Sequence, residues 1–165
     1  VGLSVTGDGE ELAEQMIKEV AQWFPGRRFR IFGDGFYATL AGTALEGTTI
    51  ISRLRRDANL YDLPPKSPRK QRGRPRKRGK ILAKLEKIAA HLQNWQMVTF
   101  RQRDIVTKRL VYTRQVLWYS VSHNPFLPVI SRDPAGKEKD DFFFTTDLTM
   151  TAADVLECYK DRWAI

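Results

Sequence analysis

Residues 28–35 read Arg28-Phe29-Arg30-Ile31-Phe32-Gly33-Asp34-Gly35. The run Phe29–Phe32 is rich in aromatic and β-branched residues, and the glycines close it, so a short strand ending at Gly33 is expected. A carboxylate at the C-terminal end of a strand is where open α/β sheets place ligand and metal groups. Gly33 and Gly35 allow the sharp exit that leaves Asp34 reachable. A turn in which Asp34 caps the following helix fits the same residues.

The flanking sequence extends this pattern. From Gly9 to Phe24 the apolar residues Leu12, Met16, Ile17, Val20, Trp23 and Phe24 recur on one helical face, with Glu10, Glu11 and Glu14 at the favourable N-terminal end and Pro25-Gly26 as a stop. Phe36–Leu45 reads as a second helical stretch closing at Gly47, and Thr48–Leu54 as a second strand. Helix, strand, helix, strand predicts a parallel α/β layer. Residues 81–91 suit a short helix. Strands are expected over Gln96–Arg101, Leu110–Ser120, Leu127–Arg132 and Asp141–Thr146, the last two joined by a turn at Pro134-Ala135-Gly136-Lys137. Ala152–Ile165 reads as a final helix, N-capped by Thr151 with Asp154 three residues on. Tyr159 and Arg162, at i and i+3, share one face of it.

Charge is concentrated in one segment. Of 28 Lys and Arg, nine lie between Lys66 and Lys80, a stretch without acid; the remainder is balanced at 19 basic against 19 acidic, so this segment supplies the whole net charge of +9. Internal repulsion, Pro and Gly oppose helix and sheet there, which predicts a flexible basic arm that meets phosphate. Its DNA-binding candidates are Arg69, Lys70, Arg72, Arg74, Arg76, Lys77, Arg78 and Lys80. Arg72-Gly73-Arg74-Pro75 resembles the AT-hook, in which Gly admits the backbone to a narrow minor groove and Arg lies along it. A solvated basic linker fits the same composition.

Other classes find little support. The 165 residues, 42% hydrophobic, suit one domain or a domain with an insertion and can bury a core. No apolar run approaches a membrane span, and Val1-Gly2-Leu3-Ser4 has no signal-peptide character. Cys158 is the single cysteine, which excludes an internal disulfide or a Cys-rich zinc site and makes the cytoplasm the default setting. His91 and His123 lie far apart with no partner motif, and no Gly-x-Ser-x-Gly elbow occurs. Asp140 and Asp141 are adjacent strand residues expected on opposite faces, which argues against a metal pair. Trp95, Trp118 and Tyr119 suit either base stacking or core packing, packing being the commoner fate.

Three stretches carry a family resemblance. Gly33-Asp34-Gly35-Phe36-Tyr37-Ala38 resembles the second-aspartate motif of bacterial insertion-sequence DDE transposases. Ile50-Ile51-Ser52-Arg53-Leu54-Arg55 resembles the strand that follows it, and Tyr159-Lys160-Asp161-Arg162-Trp163-Ala164-Ile165 resembles the start of their Tyr-x-x-Arg-x-x-x-Glu signature. The basic segment after Leu60-Tyr61-Asp62-Leu63-Pro64-Pro65 is similar as well.

The resemblance implies a ribonuclease-H-like α/β fold, a mixed sheet with flanking helices interrupted by a β-rich insertion. Residues 1–59 would belong to the core, 60–146 to the basic arm and insertion, and 147–165 to the start of the last catalytic helix. It implies a DNA transposase that hydrolyses phosphodiesters and transfers strands at transposon ends with two Mg2+ or Mn2+ ions. Asp34 would be the one metal ligand here, with Tyr159 and Arg162 as its catalytic partners. The other two carboxylates would lie upstream of Val1 and just after Ile165, so the sequence reads as an internal piece, inactive alone. Double-stranded DNA, a homodimer on it, and a bacterial cytoplasmic, nucleoid-associated location go with this. The competing expectation is a non-catalytic DNA-binding module whose function is the AT-hook-like arm.

Overall fold

A computed structural model describes residues 9–43, 45–66 and 73–162. Helix α1 (Gly9–Trp23) leads into β1 (Phe29–Gly33); a 3₁₀ helix over Tyr37–Gly42 leads into β2 (Thr48–Arg53). Then come α2 (Leu85–His91), β3 (Gln96–Gln102), β4 (Ile105–Thr113), β5 (Leu127–Arg132), β6 (Asp141–Thr145) and α3 (Ala152–Asp161). The strands form one six-stranded sheet in the order β1-β2-β6-β5-β4-β3. β1 and β2 run parallel, with Ile31 opposite Ile50; every other pair is antiparallel. This mixed sheet with flanking helices is compatible with a ribonuclease-H-like fold. The β-rich residues 96–145 continue the sheet begun by β1 and β2.

The sheet is strongly curled. Glu157 on α3 meets the backbone N–H of Arg101 on β3 at 3.5 Å, and the next residue, Cys158, meets Arg30 Nη1 on β1 at 3.6 Å. β1 and β3 are the two edges. In a flat sheet they would stand about 24 Å apart at the usual strand spacing. Adjacent residues of one helix reach both edges because the sheet wraps around α3. Inside the wrap, Ile51, Phe100, Val111, Val129 and Phe143 pack on Val155, Leu156 and Tyr159. Outside it, Ile50, Trp118, Phe126, Ile130, Phe142 and Phe144 form a second core beneath α2 and the 3₁₀ helix. The run Phe142-Phe143-Phe144 feeds both, since successive strand residues point to opposite faces.

Several expectations need correction. Phe36–Leu45 is a 3₁₀ helix over Tyr37–Gly42 rather than an α-helix. The strand expected at Leu110–Ser120 is shifted: β4 starts at Ile105, and Val116 and Leu117 make only isolated bridges. The cause is a two-residue hairpin turn at Arg103-Asp104, both at positive φ (49° and 65°) without glycine to signal it. On α1, Ala13 and Ile17 pack on the outer core while Leu12, Met16, Trp23 and Phe24 stay exposed. α3 is described only to Arg162, so Trp163, Ala164 and Ile165 lie outside the described residues. Among the described residues no helix is long and apolar enough to cross a membrane.

Candidate active site

Along β1 the side chains alternate. Ile31 faces the outer core, whereas Arg30 points into the wrap and reaches Cys158 on α3. Asp34 follows directly on Gly33, the last residue of β1. Its side chain is exposed, and its Oδ1 accepts the backbone N–H of Phe36 at 2.9 Å. That contact is a local Asx turn, and the 3₁₀ helix is not capped by it: its N-cap residue is Phe36.

The strand exit is braced from β2. Ser52, fully buried, donates its hydroxyl to the carbonyl oxygen of Asp34 at 2.7 Å. Gly33 makes room for this. A Cβ there would stand 3.2 Å from Tyr37 Cβ and 3.3 Å from Ser52 Oγ. Ser52 was invisible as a site residue in the sequence; its one signal is a hydroxyl on a strand directly after Ile50 and Ile51, where burial demands a partner.

The last helix brings the other two candidates to the same place. Arg162, the C-cap residue of α3, directs Nη1 to the carbonyl oxygen of Gly33 at 3.4 Å. Its guanidinium lies 4.2 Å from the centre of the Tyr159 ring, which packs 4.7 Å from Phe143. Tyr159 is 3% exposed, and its buried hydroxyl has no hydrogen-bond partner among the described residues. Arg162 thus contacts the residue that precedes Asp34, with the Tyr159 ring beside its guanidinium.

Further charged groups occupy that end. β6 runs antiparallel to β2, with Phe143 opposite Arg53, the last residue of β2, and Asp141, the first of β6, two residues further on. Asp141 contacts Arg53 at 3.7 Å and Lys160 at 3.8 Å. Asp140, facing the other way, takes a two-point bond from Arg132 at 2.9 and 2.7 Å. The two neighbouring aspartates thus pair with different cations, Asp141 with Arg53 and Lys160 and Asp140 with Arg132. Among the described residues, no group of three His, Cys, Asp or Glu could hold a metal ion.

The basic arm is pinned at its neck. Gly79 N–H donates to the Asp62 carbonyl at 2.8 Å, and Asp62 N–H to the Lys80 carbonyl at 2.9 Å. A Cβ at Gly79 would fall 2.6 Å from the Leu63 carbonyl oxygen, so this closure requires glycine. Arg74, Arg76, Lys77 and Lys80 are exposed. Arg78 is seated on the body, its guanidinium 4.4 Å from the Tyr61 ring and 4.9 Å from the Tyr119 ring. Arg69, Lys70 and Arg72 lie outside the described residues. Trp118 is a core residue, Trp95 bonds Leu92 and underlies Arg132, and Tyr119 stacks on His123. His91 Nδ1 meets the Lys87 carbonyl oxygen.

Fold and site together define an α/β protein that presents an acidic strand end beneath an arginine-bearing helix. The chain belongs to the DDE superfamily endonucleases: residues 8–125 match that family. The match contains Asp34 and the basic arm and ends before β5, β6 and α3, so Tyr159 and Arg162 stand beyond it. No curated protein and no solved structure matches the chain. The family brings nuclease- or transposase-type activity, DNA as the substrate and, generally, divalent metal ions.

Proposed function

We propose that this chain is part of the catalytic core of a DNA transposase of the bacterial insertion-sequence type, acting in the cytoplasm at the nucleoid. The observation that carries the proposal is the bond from Arg162 to Gly33, which seats the arginine of the last helix against the residue preceding Asp34. On this reading residues 1–59 belong to the core, 60–146 are the arm and β-rich insertion, and 147–165 begin the final core helix. The reaction is phosphodiester hydrolysis followed by strand transfer at transposon ends, on double-stranded DNA held by a homodimer.

Asp34 supplies one oxygen ligand to Mg2+ or Mn2+, and two further carboxylates complete the set. Such ions, when bound, activate a water or 3′-hydroxyl and stabilise the leaving oxygen of an in-line displacement. The residues present do the positioning. Ser52 and Gly33 hold the strand exit, so the carboxylate has a fixed direction. Arg162 adds a planar, permanently charged donor beside it, suited to a DNA phosphate. Tyr159 supports that guanidinium with its ring. Arg69, Lys70, Arg72, Arg74, Arg76, Lys77 and Lys80 track the DNA backbone, while Arg78 anchors the arm.

One observation favours a second reading, a DNA-binding module working through the arm: among the described residues no group of three His, Cys, Asp or Glu could hold a metal ion. Plasmid nicking separates the two. In a polypeptide carrying all three carboxylates, magnesium-dependent nicking is expected and is lost in Asp34→Ala while DNA binding persists. Nicking that survives Asp34→Ala overturns the metal-ligand role. Binding without nicking in either metal favours the module.

A further inference from the structure

The β3–β4 hairpin carries one face that nothing in the fold uses. Its register pairs Val98 with Arg109 and Phe100 with Thr107 on the inner face, which packs towards α3. The outer face alternates with it: Met97 and Thr99 from β3, Lys108 opposite Thr99, and Val106 opposite Arg101. Met97 is 55% exposed and Val106 61%. Two large apolar side chains in water on this face, with Thr99 and Lys108 between them, mark a surface built for contact.

The chemistry of the surroundings selects the partner. Arg101, Arg103 and Lys108 are the exposed cations of this ribbon, whose fourth, Arg109, is buried on the inner face, against one acid, Asp104. Elsewhere the fold spends its arginines on carboxylates: Arg55 on Asp57, Arg56 on Glu86, Arg109 on Glu138, Arg114 on Asp62, Arg132 on Asp140. Among the described residues, no carboxylate pairs with the side chains of Arg101 or Lys108. A second copy docked about a twofold axis would bring these like charges face to face, which is costly. Strand addition at the β3 edge is obstructed where Glu157 covers the Arg101 N–H. A polyanion with apolar patches suits the face better. The DNA major groove admits a two-stranded β-ribbon, with phosphates flanking it for Arg and Lys and thymine methyls on its floor for Met and Val.

We propose that the outer face of the β3–β4 hairpin is a second DNA-binding surface, a β-ribbon that lies in the major groove of duplex DNA. The proposal rests on DNA being the substrate, and it adds a contact that neither Asp34 nor the basic arm provides.

The test is fluorescence anisotropy of the whole chain on a labelled duplex of about 20 base pairs across a salt series. Arg101→Gln with Lys108→Gln is expected to weaken binding by about tenfold and flatten the log K against log salt slope by about two. Met97→Ser with Val106→Ser is expected to weaken binding several-fold with the slope unchanged, since apolar contacts release no counterions. Both pairs are exposed, so thermal midpoints should stay near the parent value and confirm folding. Parental affinity in both pairs, with binding lost on neutralising Arg74, Arg76 and Lys77, overturns the hairpin surface and leaves the DNA reading intact. Absence of duplex binding by the parent at low salt overturns the DNA reading itself. A dimer that dissociates on Met97→Ser with Val106→Ser assigns the face to a second copy and overturns the proposal.

Discussion

Arg162 Nη1 lies 3.4 Å from the carbonyl oxygen of Gly33, a residue 129 positions away in sequence and adjacent to Asp34. The same guanidinium stacks on Tyr159. Two weak contacts of a charged, planar group therefore tie the end of α3 to the end of β1. Arg162→Ala is expected to destabilise the chain by about 1–2 kcal/mol, the usual scale for a charge-assisted hydrogen bond with a ring contact. Arg162→Lys should restore under half of that, because an ammonium cannot stack as a plane. Urea denaturation measures both; equal stability of all three proteins would show that the contact does not hold the helix end.

Ser52 gives the next expectation. Removing its hydroxyl leaves the Asp34 carbonyl without this donor at a buried position, so Ser52→Ala should cost about 1–3 kcal/mol. Gly33→Ala should cost a similar amount, about 1–3 kcal/mol, by crowding Tyr37 and the same hydroxyl. The two residues touch, so the double variant should fall short of the sum. Strict additivity in denaturant titrations would count against a shared brace.

Tyr159 should behave differently from most buried tyrosines. Its hydroxyl has no described partner, so Tyr159→Phe removes an unsatisfied polar atom while keeping the ring against Phe143 and Arg162. Stability should stay within about 0.5 kcal/mol of the parent or rise. A thermal midpoint several degrees lower would mean that the hydroxyl has a protein partner.

The start of α3 sets a pH dependence. Thr151 Oγ1 donates to Asp154 Oδ2 at 2.7 Å, Thr151 N–H donates to the same oxygen at 3.0 Å, and Asp154 N–H returns a bond to Thr151 Oγ1 at 3.1 Å. The hydroxyl first, then the backbone N–H, holds the Asp154 carboxyl below its ordinary 3.8. Asp147 is lowered in the same way by the Thr149 hydroxyl and N–H. A depressed folded pKa contributes stability above the unfolded value and loses it as pH falls through the folded one. The loss should begin near pH 3.8 and proceed downwards. Asp154→Ala should cost about 1 kcal/mol at neutral pH and flatten this acid limb. An unchanged limb would show that the cap does not set it.

The basic arm predicts a graded salt effect. Neutralising Arg74, Arg76 and Lys77 to Gln should reduce the slope of log K against log salt by about three, with no change in folding. Arg78→Ala should act differently, lowering stability as well, because its guanidinium is seated on Tyr61 and Tyr119. If Arg78→Ala alters only the salt slope, the seat is immaterial and the residue is one more phosphate contact.

Much of the local structure follows from the amino-acid order alone. Four glutamates and apolar spacing over Gly9–Trp23, the β-rich runs at β1, β2, β5 and β6, and the Thr151–Asp154 cap all act between residues close in sequence. The exposed carboxylate of Asp34 belongs to this class too, since the glycines beside it shape the strand exit. The curl of the sheet does not. It depends on which strands neighbour one another and on one helix being gripped from both edges, relations between residues up to 129 apart. That curl decides that Arg162 meets Gly33, while the pairing of β1 with β2, Gly33 opposite Ser52, decides that Ser52 braces Asp34. It also leaves one side of the β3–β4 hairpin bare, because local periodicity records that a residue alternates but not what stands opposite it.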